Sequence, residues 1–205
     1  MEKRKYSVVV FDLGNVLIPF DYTIMINKLD KVKSGLGKRF MDDYKANYSV
    51  HRSFERGDIK EDDFLELMLS ACERAVDKET FCRYYSEIFT ENKEVTSLLP
   101  ELKKKYKLVL LSNTNGIHRE YGYKHYEFFK YFDKLILSHE VGSVKPEAEI
   151  YRAVENFTGH LPEEHIFIDD VADYAEGARK MGWDAIQFKN SEQLKAELRS
   201  RNILE

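Results

Sequence analysis

Cysteine is scarce in this chain: Cys72 and Cys82 are the only two in 205 residues. Neither has a partner at metal-ligand spacing, which excludes a zinc module or a disulfide scaffold. Both fall where apolar residues recur at helical spacing, so they read as buried thiols in a reducing compartment. No apolar run approaches the ~20 residues of a membrane span. The start, Met1-Glu2-Lys3-Arg4-Lys5-Tyr6, is charged, but the apolar stretch behind it is short and belongs to a strand; it is not read as a signal peptide, and a cytoplasmic protein is expected. An excess of positive charge is also missing. With 32 Lys and Arg against 36 Asp and Glu, the formal net charge is −4, which argues against generic nucleic-acid binding. Lys103-Lys104-Lys105 reads as the solvated carboxyl end of a helix, where cations suit the dipole. Internal repeats and low-complexity tracts are absent, and nothing signals an oligomeric state. What remains is ordinary for a globular protein, 43% hydrophobic and 33% charged, with enough length for one domain and an elaboration.

Against that background four segments carry chemistry. Val8-Val9-Val10-Phe11-Asp12-Leu13-Gly14-Asn15 is a β-branched run ending in a carboxylate, with Gly14 and Asn15 suited to a sharp turn. Ligands collect at the carboxyl ends of strands in open α/β sheets, although one such Asp taken alone is most simply a helix cap. Leu108-Val109-Leu110-Leu111-Ser112-Asn113 is a second apolar strand, delivering at its end a hydroxyl and amides that suit a phosphate oxygen. In Lys145-Pro146-Glu147, Pro146 suits the first turn of a helix and Lys145 stands just before it, a cation beside free backbone N–H groups. His165-Ile166-Phe167-Ile168-Asp169-Asp170 is a strand ending in two carboxylates. Like charges side by side demand compensation, and Mg²⁺, which is held by one or two carboxylates plus substrate phosphate, supplies it. Asp12, Asp169 and Asp170 could build that site.

Each signal is weak alone; their order is specific. In that order, and across nearly the whole length outside one insertion, the chain resembles the haloacid dehalogenase superfamily. The forms Phe11-Asp12-Leu13-Gly14-Asn15-Val16, Leu111-Ser112-Asn113-Thr114-Asn115, Lys145-Pro146-Glu147-Ala148-Glu149-Ile150-Tyr151 and Asp169-Asp170, with Phe54-Glu55-Arg56-Gly57-Asp58-Ile59 in the insertion, are similar to a subgroup of bacterial sugar-phosphate phosphatases that includes α-D-glucose-1-phosphate phosphatase. The resemblance implies a Rossmann-like core, a small helical cap and hydrolysis of a phosphate ester through an aspartyl-phosphate. It makes Asp12 the nucleophile and a metal ligand, gives Ser112, Asn113 and Lys145 the phosphoryl group, and makes Asp170 a direct ligand of Mg²⁺. Asp169 would bind the ion directly or through water, and the Gly14 carbonyl would complete the protein's share.

Two positions depart from the family's pattern. Most phosphatases of the superfamily carry an acid/base Asp two residues after the nucleophile, where this chain has Gly14. General acid–base help is typically worth ~10²–10⁴-fold, so a substitute is called for: Asp173, a metal-bound water, His51 or a substrate hydroxyl. Tyr174 stands where relatives often have an Asn that orders the metal waters.

Some 100 residues separate Asp12 from Ser112, too many for a plain crossover. The aromatic and apolar spacing of Phe40, Tyr44 and Tyr48, of Phe64, Leu67, Met68 and Ala71, and of Phe81, Tyr84, Tyr85, Ile88 and Phe89 predicts a bundle of about four helices at 19–91. Gly35, Gly37 and Gly57 mark its turns. Residues 1–18 and 92–205 then form the core. A helix over Val95, Leu98, Leu99 and Leu102 leads into strand 107–111; strands follow at 134–138 and 183–188, and helices at 147–157, 172–182 and 191–201. The alternation predicts an α/β fold with a parallel, doubly wound, Rossmann-like sheet. Tyr48, His51 and Arg52 are the candidate cap contacts to substrate. The leading function is a Mg²⁺-dependent phosphatase acting through an aspartyl-phosphate on a small phosphorylated metabolite, with a sugar phosphate as the first candidate. Its rivals are a metal-independent haloacid dehalogenase, which Gly14 fits and Asp169-Asp170 does not, and a phosphometabolite-binding protein with little turnover.

Overall fold

Val8, Val9, Val10 and Phe11 are all fully buried. Alternate side chains enter different apolar clusters, Val9 and Phe11 on one face of the sheet and Val8 and Val10 on the other. A strand buried on both faces belongs at the centre of a covered parallel sheet. In the computed structural model, which describes residues 5–205, the charged start at residues 1–4 lies outside the described residues. Five strands, β1 (Val8–Phe11), β2 (Lys107–Ser112), β3 (Lys134–Leu137), β4 (His165–Asp169) and β5 (Asp184–Gln187), pair in parallel in the order β3-β2-β1-β4-β5. The expected α/β fold is there. The chain winds outward in opposite directions from β1, so the crevice lies at the carboxyl ends of β1, β2 and β4.

The insertion contains five helices, not about four: α1 (Tyr22–Val32), α2 (Leu36–Ala46), α3 (Tyr48–Arg56), α4 (Glu61–Ala71) and α5 (Lys78–Ser86). The aromatic series Phe40, Tyr44, Tyr48 suggested one helix, but Asn47 leaves helical geometry and its amide turns back onto the Asp43 carbonyl and carboxylate. Tyr48 therefore starts a new helix. These helices bury a core of their own, with Met25, Leu29, Phe40, Phe54, Phe64 and Phe81 in it. Gly37 is also not a turn. It lies inside α2 where that helix crosses α1, and a Cβ there would stand 2.3 Å from the Ile26 carbonyl oxygen.

The core helices are α6 (Lys93–Thr96), α7 (Leu99–Lys103), α8 (Ser138–Val141), α9 (Ala148–Thr158), α10 (Ala172–Lys180) and α11 (Ser191–Ser200). The single helix expected over 95–102 is split, because Pro100 has no N–H to continue the first turn and instead opens α7. Ser138 ends no strand; it starts α8, with its hydroxyl bonded to the backbone of Thr114. No helix of the described residues is long and apolar enough to cross a membrane.

Candidate active site

Register places the first charges. Phe11 pairs with Ile168, so one step further Asp12 and Asp169 emerge side by side from the central strands. Asp12 is held there by its N–H, which donates to the Ile168 carbonyl at 2.9 Å. Asp170 follows, half-buried, and accepts the Asn15 amide at 3.1 Å. That amide is aimed by a left-handed Asn15, at φ 55°, a conformation Asn tolerates better than most residues. One oxygen from each of Asp12, Asp169 and Asp170 lies within 4.8 Å of the others.

Lys145 stands among them with 1% of its surface exposed, its Nζ 2.6 Å from Asp12 Oδ1 and 2.6 Å from Asp169 Oδ2. The rings of Tyr174 and Phe167 also flank the ammonium, at 5.0 and 5.4 Å. Tyr174, the departure noted above, thus covers the lysine. Pro146 does not open a helix, which corrects the expected placement of Lys145. Glu147 accepts from the Ser143 hydroxyl and the Val144 N–H, closing the loop as a turn of its own, and α9 begins only at Ala148. The loop turns Lys145 into the acid cluster instead of leaving it at a helix terminus.

Electrostatics follow from burial. Desolvation pushes the Asp12 carboxyl up, to about 8, against the pull of Lys145, and Asp169 adds to the rise. Desolvation raises Asp170 as well, against the Asn15 amide. It would lower Lys145, but the two carboxylates outweigh it and hold the ammonium charged. Three carboxylates therefore face one buried cation. This hard-oxygen set is short of positive charge, which is the donor chemistry Mg²⁺ requires.

The remaining sequence candidates sort by partner. Ser112 is buried, and its hydroxyl has only a long 3.4 Å contact to the Asn113 carbonyl. Asn113 is committed elsewhere: its Oδ1 accepts the Lys145 N–H at 2.8 Å and its Nδ2 donates to the Lys145 carbonyl at 3.2 Å. Arg52 donates to the same carbonyl at 3.1 Å, to Glu55 at 3.1 Å and to the Tyr174 hydroxyl at 3.4 Å. Arg56 pairs with Glu147 at 2.5 Å, so two arginines of α3 grip the loop that carries Lys145. His51 is buried with both ring nitrogens engaged, Nδ1 at 3.0 Å from the Tyr85 hydroxyl and Nε2 at 3.3 Å from Glu55. Asp173 is exposed on the first turn of α10.

Two cavities meet here. A cleft of about 200 Å³ is lined by Asp12, Gly14, Lys145, Asp170, Arg52 and Tyr174 among others, and an aromatic chamber of about 260 Å³ lies beside it under the inserted helices. Gly14, Phe20, Tyr48, Glu55 and Asn113 line both. Sequence reasoning missed Phe20, Glu55 and His118. Phe20 packs over Gly14, where a Cβ would meet its ring at 3.3 Å. Glu55 joins His51 to Arg52; burial works to raise its carboxyl, but His51 and Arg52 outweigh it and hold it below the usual range. Its signal was present in Phe54-Glu55-Arg56-Gly57, a segment quoted for similarity but not for charge. His118 follows Asn115, whose Oδ1 accepts its N–H at 2.9 Å.

Burial keeps His118 neutral by pulling its pKa well below 6.5, with His51 adding to the fall. A group depressed in the folded state is protonated first in the unfolded one, so stability is present above about pH 6.5 and is lost as pH falls below it, by up to ~1.4 kcal/mol per pH unit for one group. Urea midpoints at pH 7.5 and 5.5 should therefore differ less in His118→Phe than in the natural chain. Equal differences would contradict this assignment.

Sheet order, strand-end carboxylates and the inserted helices define the class: a doubly wound α/β protein with its charged site at the topological switch point. A sequence model of the haloacid dehalogenase-like hydrolases matches residues 6–182, and the chain belongs to that hydrolase family. It is 25% identical over 197 residues to D-ribitol-5-phosphate phosphatase of Bacteroides thetaiotaomicron, covering 93% of this chain and 95% of that one. It is 26% identical over 189 residues to a phosphorylated carbohydrates phosphatase of Thermotoga maritima, covering 88% and 83%. A haloacid dehalogenase family enzyme of Bacteroides thetaiotaomicron, solved in complex with magnesium and inorganic phosphate, superposes with a TM-score of 0.78 at 28% identity, over 90% of this chain and 94% of that one.

Proposed function

We propose that the chain is a Mg²⁺-dependent phosphomonoesterase for a small phosphorylated carbohydrate or polyol. What carries this reading is the cluster of Asp12, Asp169 and Asp170 around buried Lys145, set at the mouth of a chamber under the inserted helices. The relatives that act on D-ribitol 5-phosphate and on phosphorylated carbohydrates support the substrate class. Residues 19–91 serve as the cap, and residues 1–18 with 92–205 as the catalytic core.

Asp12 is the nucleophile: a carboxylate oxygen attacks phosphorus, the bond to the leaving oxygen breaks, and water then hydrolyses the aspartyl-phosphate to restore the carboxylate. Lys145 holds the phosphoryl group and shields Asp12 from its charge, with the Ser112 hydroxyl beside it. Asp12, Asp170 and the Gly14 carbonyl would hold Mg²⁺, and Asp169, whose oxygens already serve Lys145 and the Val171 N–H at 2.6 and 2.8 Å, would reach it through water. When bound, the ion would neutralise phosphoryl oxygens. With Gly14 two residues after the nucleophile, and His51 engaged at both nitrogens, the leaving oxygen draws its proton from water or from a substrate hydroxyl.

A panel of phosphorylated sugars and polyols, assayed for phosphate release with Mg²⁺ and with EDTA, tests this. Release should fall by roughly two orders of magnitude or more in chelator. Undiminished release would overturn the metal assignment. Chloride release from 2-chloropropionate in chelator would favour dehalogenation, and tight phosphometabolite binding without turnover would favour a binding protein.

A further inference from the structure

His118 is 5% exposed, lines the aromatic chamber, and has at Nδ1 a buried nitrogen with no hydrogen-bond partner. Its ring cannot turn to find one cheaply. It stacks on Tyr85 at 4.1 Å and meets Phe89 edge-on at 5.1 Å, while the backbone N–H of His118 is held by the Asn115 side chain. Leaving a buried imidazole nitrogen unpaired costs stability, and the nearby His51 shows the alternative, with both nitrogens satisfied. The His118 ring lines a chamber that shares Gly14, Phe20, Tyr48, Glu55 and Asn113 with the phosphoryl cleft. At about 260 Å³ the chamber lies at the small end for ligand pockets and has room for a short-chain alcohol.

We propose that His118 is a specificity-determining residue, whose ring pairs with a hydroxyl of the alcohol half of the substrate while the C–H faces of that alcohol lie against the surrounding aromatic rings. This rests on the phosphomonoesterase reading and adds to it a residue of the core, outside the inserted helices, that reads the leaving group. A site built to pair a hydroxyl discriminates strongly against an analogue without one, because the protein's polar atom then stays unpaired.

The test compares kcat/KM for D-ribitol 5-phosphate and n-pentyl phosphate, which has the same carbon count without free hydroxyls, in the natural chain, His118→Phe and His118→Asn, together with melting temperature in the absence of ligand. In His118→Phe the preference for the hydroxylated ester should fall about ten-fold or more, while the variant melts at or above the natural chain, since an unpaired polar atom has been replaced by an apolar ring. His118→Asn, which returns a polar atom near the Nδ1 position, should regain part of the preference. An unchanged preference in both variants, or a parallel loss on both esters with a lower melting temperature, would overturn the proposal and leave the histidine a packing residue. If the natural chain hydrolyses neither ester nor any other phosphomonoester with Mg²⁺, the phosphomonoesterase reading fails first and this inference with it.

Discussion

Asp12→Asn should fold, bind phosphate and Mg²⁺ more weakly, and turn over phosphate esters at a rate lower by about four orders of magnitude or more, the scale seen when a nucleophile is removed from a working constellation. The amide cannot form the acyl phosphate. The same substitution should not cost stability. Asp12 is buried beside Asp169 and near Asp170, and burial pushes its carboxyl up to about 8, so at pH 8 and above its charge is held against the preference of the fold. A group with a raised acidic pKa binds its proton more readily in the folded state; the natural chain therefore loses stability at this residue as pH rises from about 4 to about 8, and the Asn variant does not. Melting in EDTA at pH 8 should be equal or higher in Asp12→Asn. A variant that regained activity on titration with Mg²⁺ would show Asp12 to be a metal ligand only, and one retaining a tenth of natural turnover would remove it as nucleophile.

The parts of this molecule that were legible in the sequence are those governed by short-range rules. A valine run ending in Asp12 and an Ile-Phe-Ile run ending in Asp169 declared strands, and the parallel pairing of β1 with β4 sets both carboxylates at one edge. The alternation of strands and helices pointed to a parallel, doubly wound sheet, and the order β3-β2-β1-β4-β5 is the structure's own contribution. The insertion holds five helices where the spacing predicts about four, because Asn47 breaks a helix by turning its amide onto Asp43, an event that a run of aromatics at helical spacing conceals. Lys145 was assigned to phosphate from its neighbour Pro146, yet its position depends on Glu147 closing a loop and on the distant Asn113 clamping its backbone. Glu55 was within reach of sequence reasoning, since His51 and Arg52 stand four and three residues before it on one helix, whereas Phe20 and His118 acquire their roles from tertiary packing, against Gly14 and against Tyr85 and Phe89. A histidine at the start of the short helical segment His118–Tyr123 has no sequence mark that its nitrogen will be stranded against Tyr85 and Phe89.

Lys145→Met is expected to be both the most destabilising single change at the site and a severe loss of turnover. The side chains are similar in length, so the substitution removes charge with little change of volume. Asp12 and Asp169 each stand 2.6 Å from the ammonium, and all three side chains are buried; removing one partner of such a network leaves charge uncompensated, at a cost of ~3–5 kcal/mol. Turnover should drop by roughly 10²–10³-fold, the scale for losing one preorganised electrostatic contact, with kcat affected as well as KM because the phosphoryl charge it meets grows toward the transition state. The two effects can be separated through Mg²⁺. If the carboxylates are the seat of a divalent cation, the ion is the other source of positive charge, so the melting temperature of Lys145→Met should rise more steeply with Mg²⁺ than that of the natural chain. Activity should stay low even at saturating ion, since the lysine's contact to the phosphoryl group is still missing. Adding Asp12→Asn to Lys145→Met should recover part of the lost stability in EDTA by removing one of the stranded charges, without recovering turnover. A variant that melts like the natural chain, shows no added dependence on Mg²⁺ and keeps kcat within ten-fold would mean that Lys145 is neither the counter-charge of the acid cluster nor the holder of the phosphoryl group.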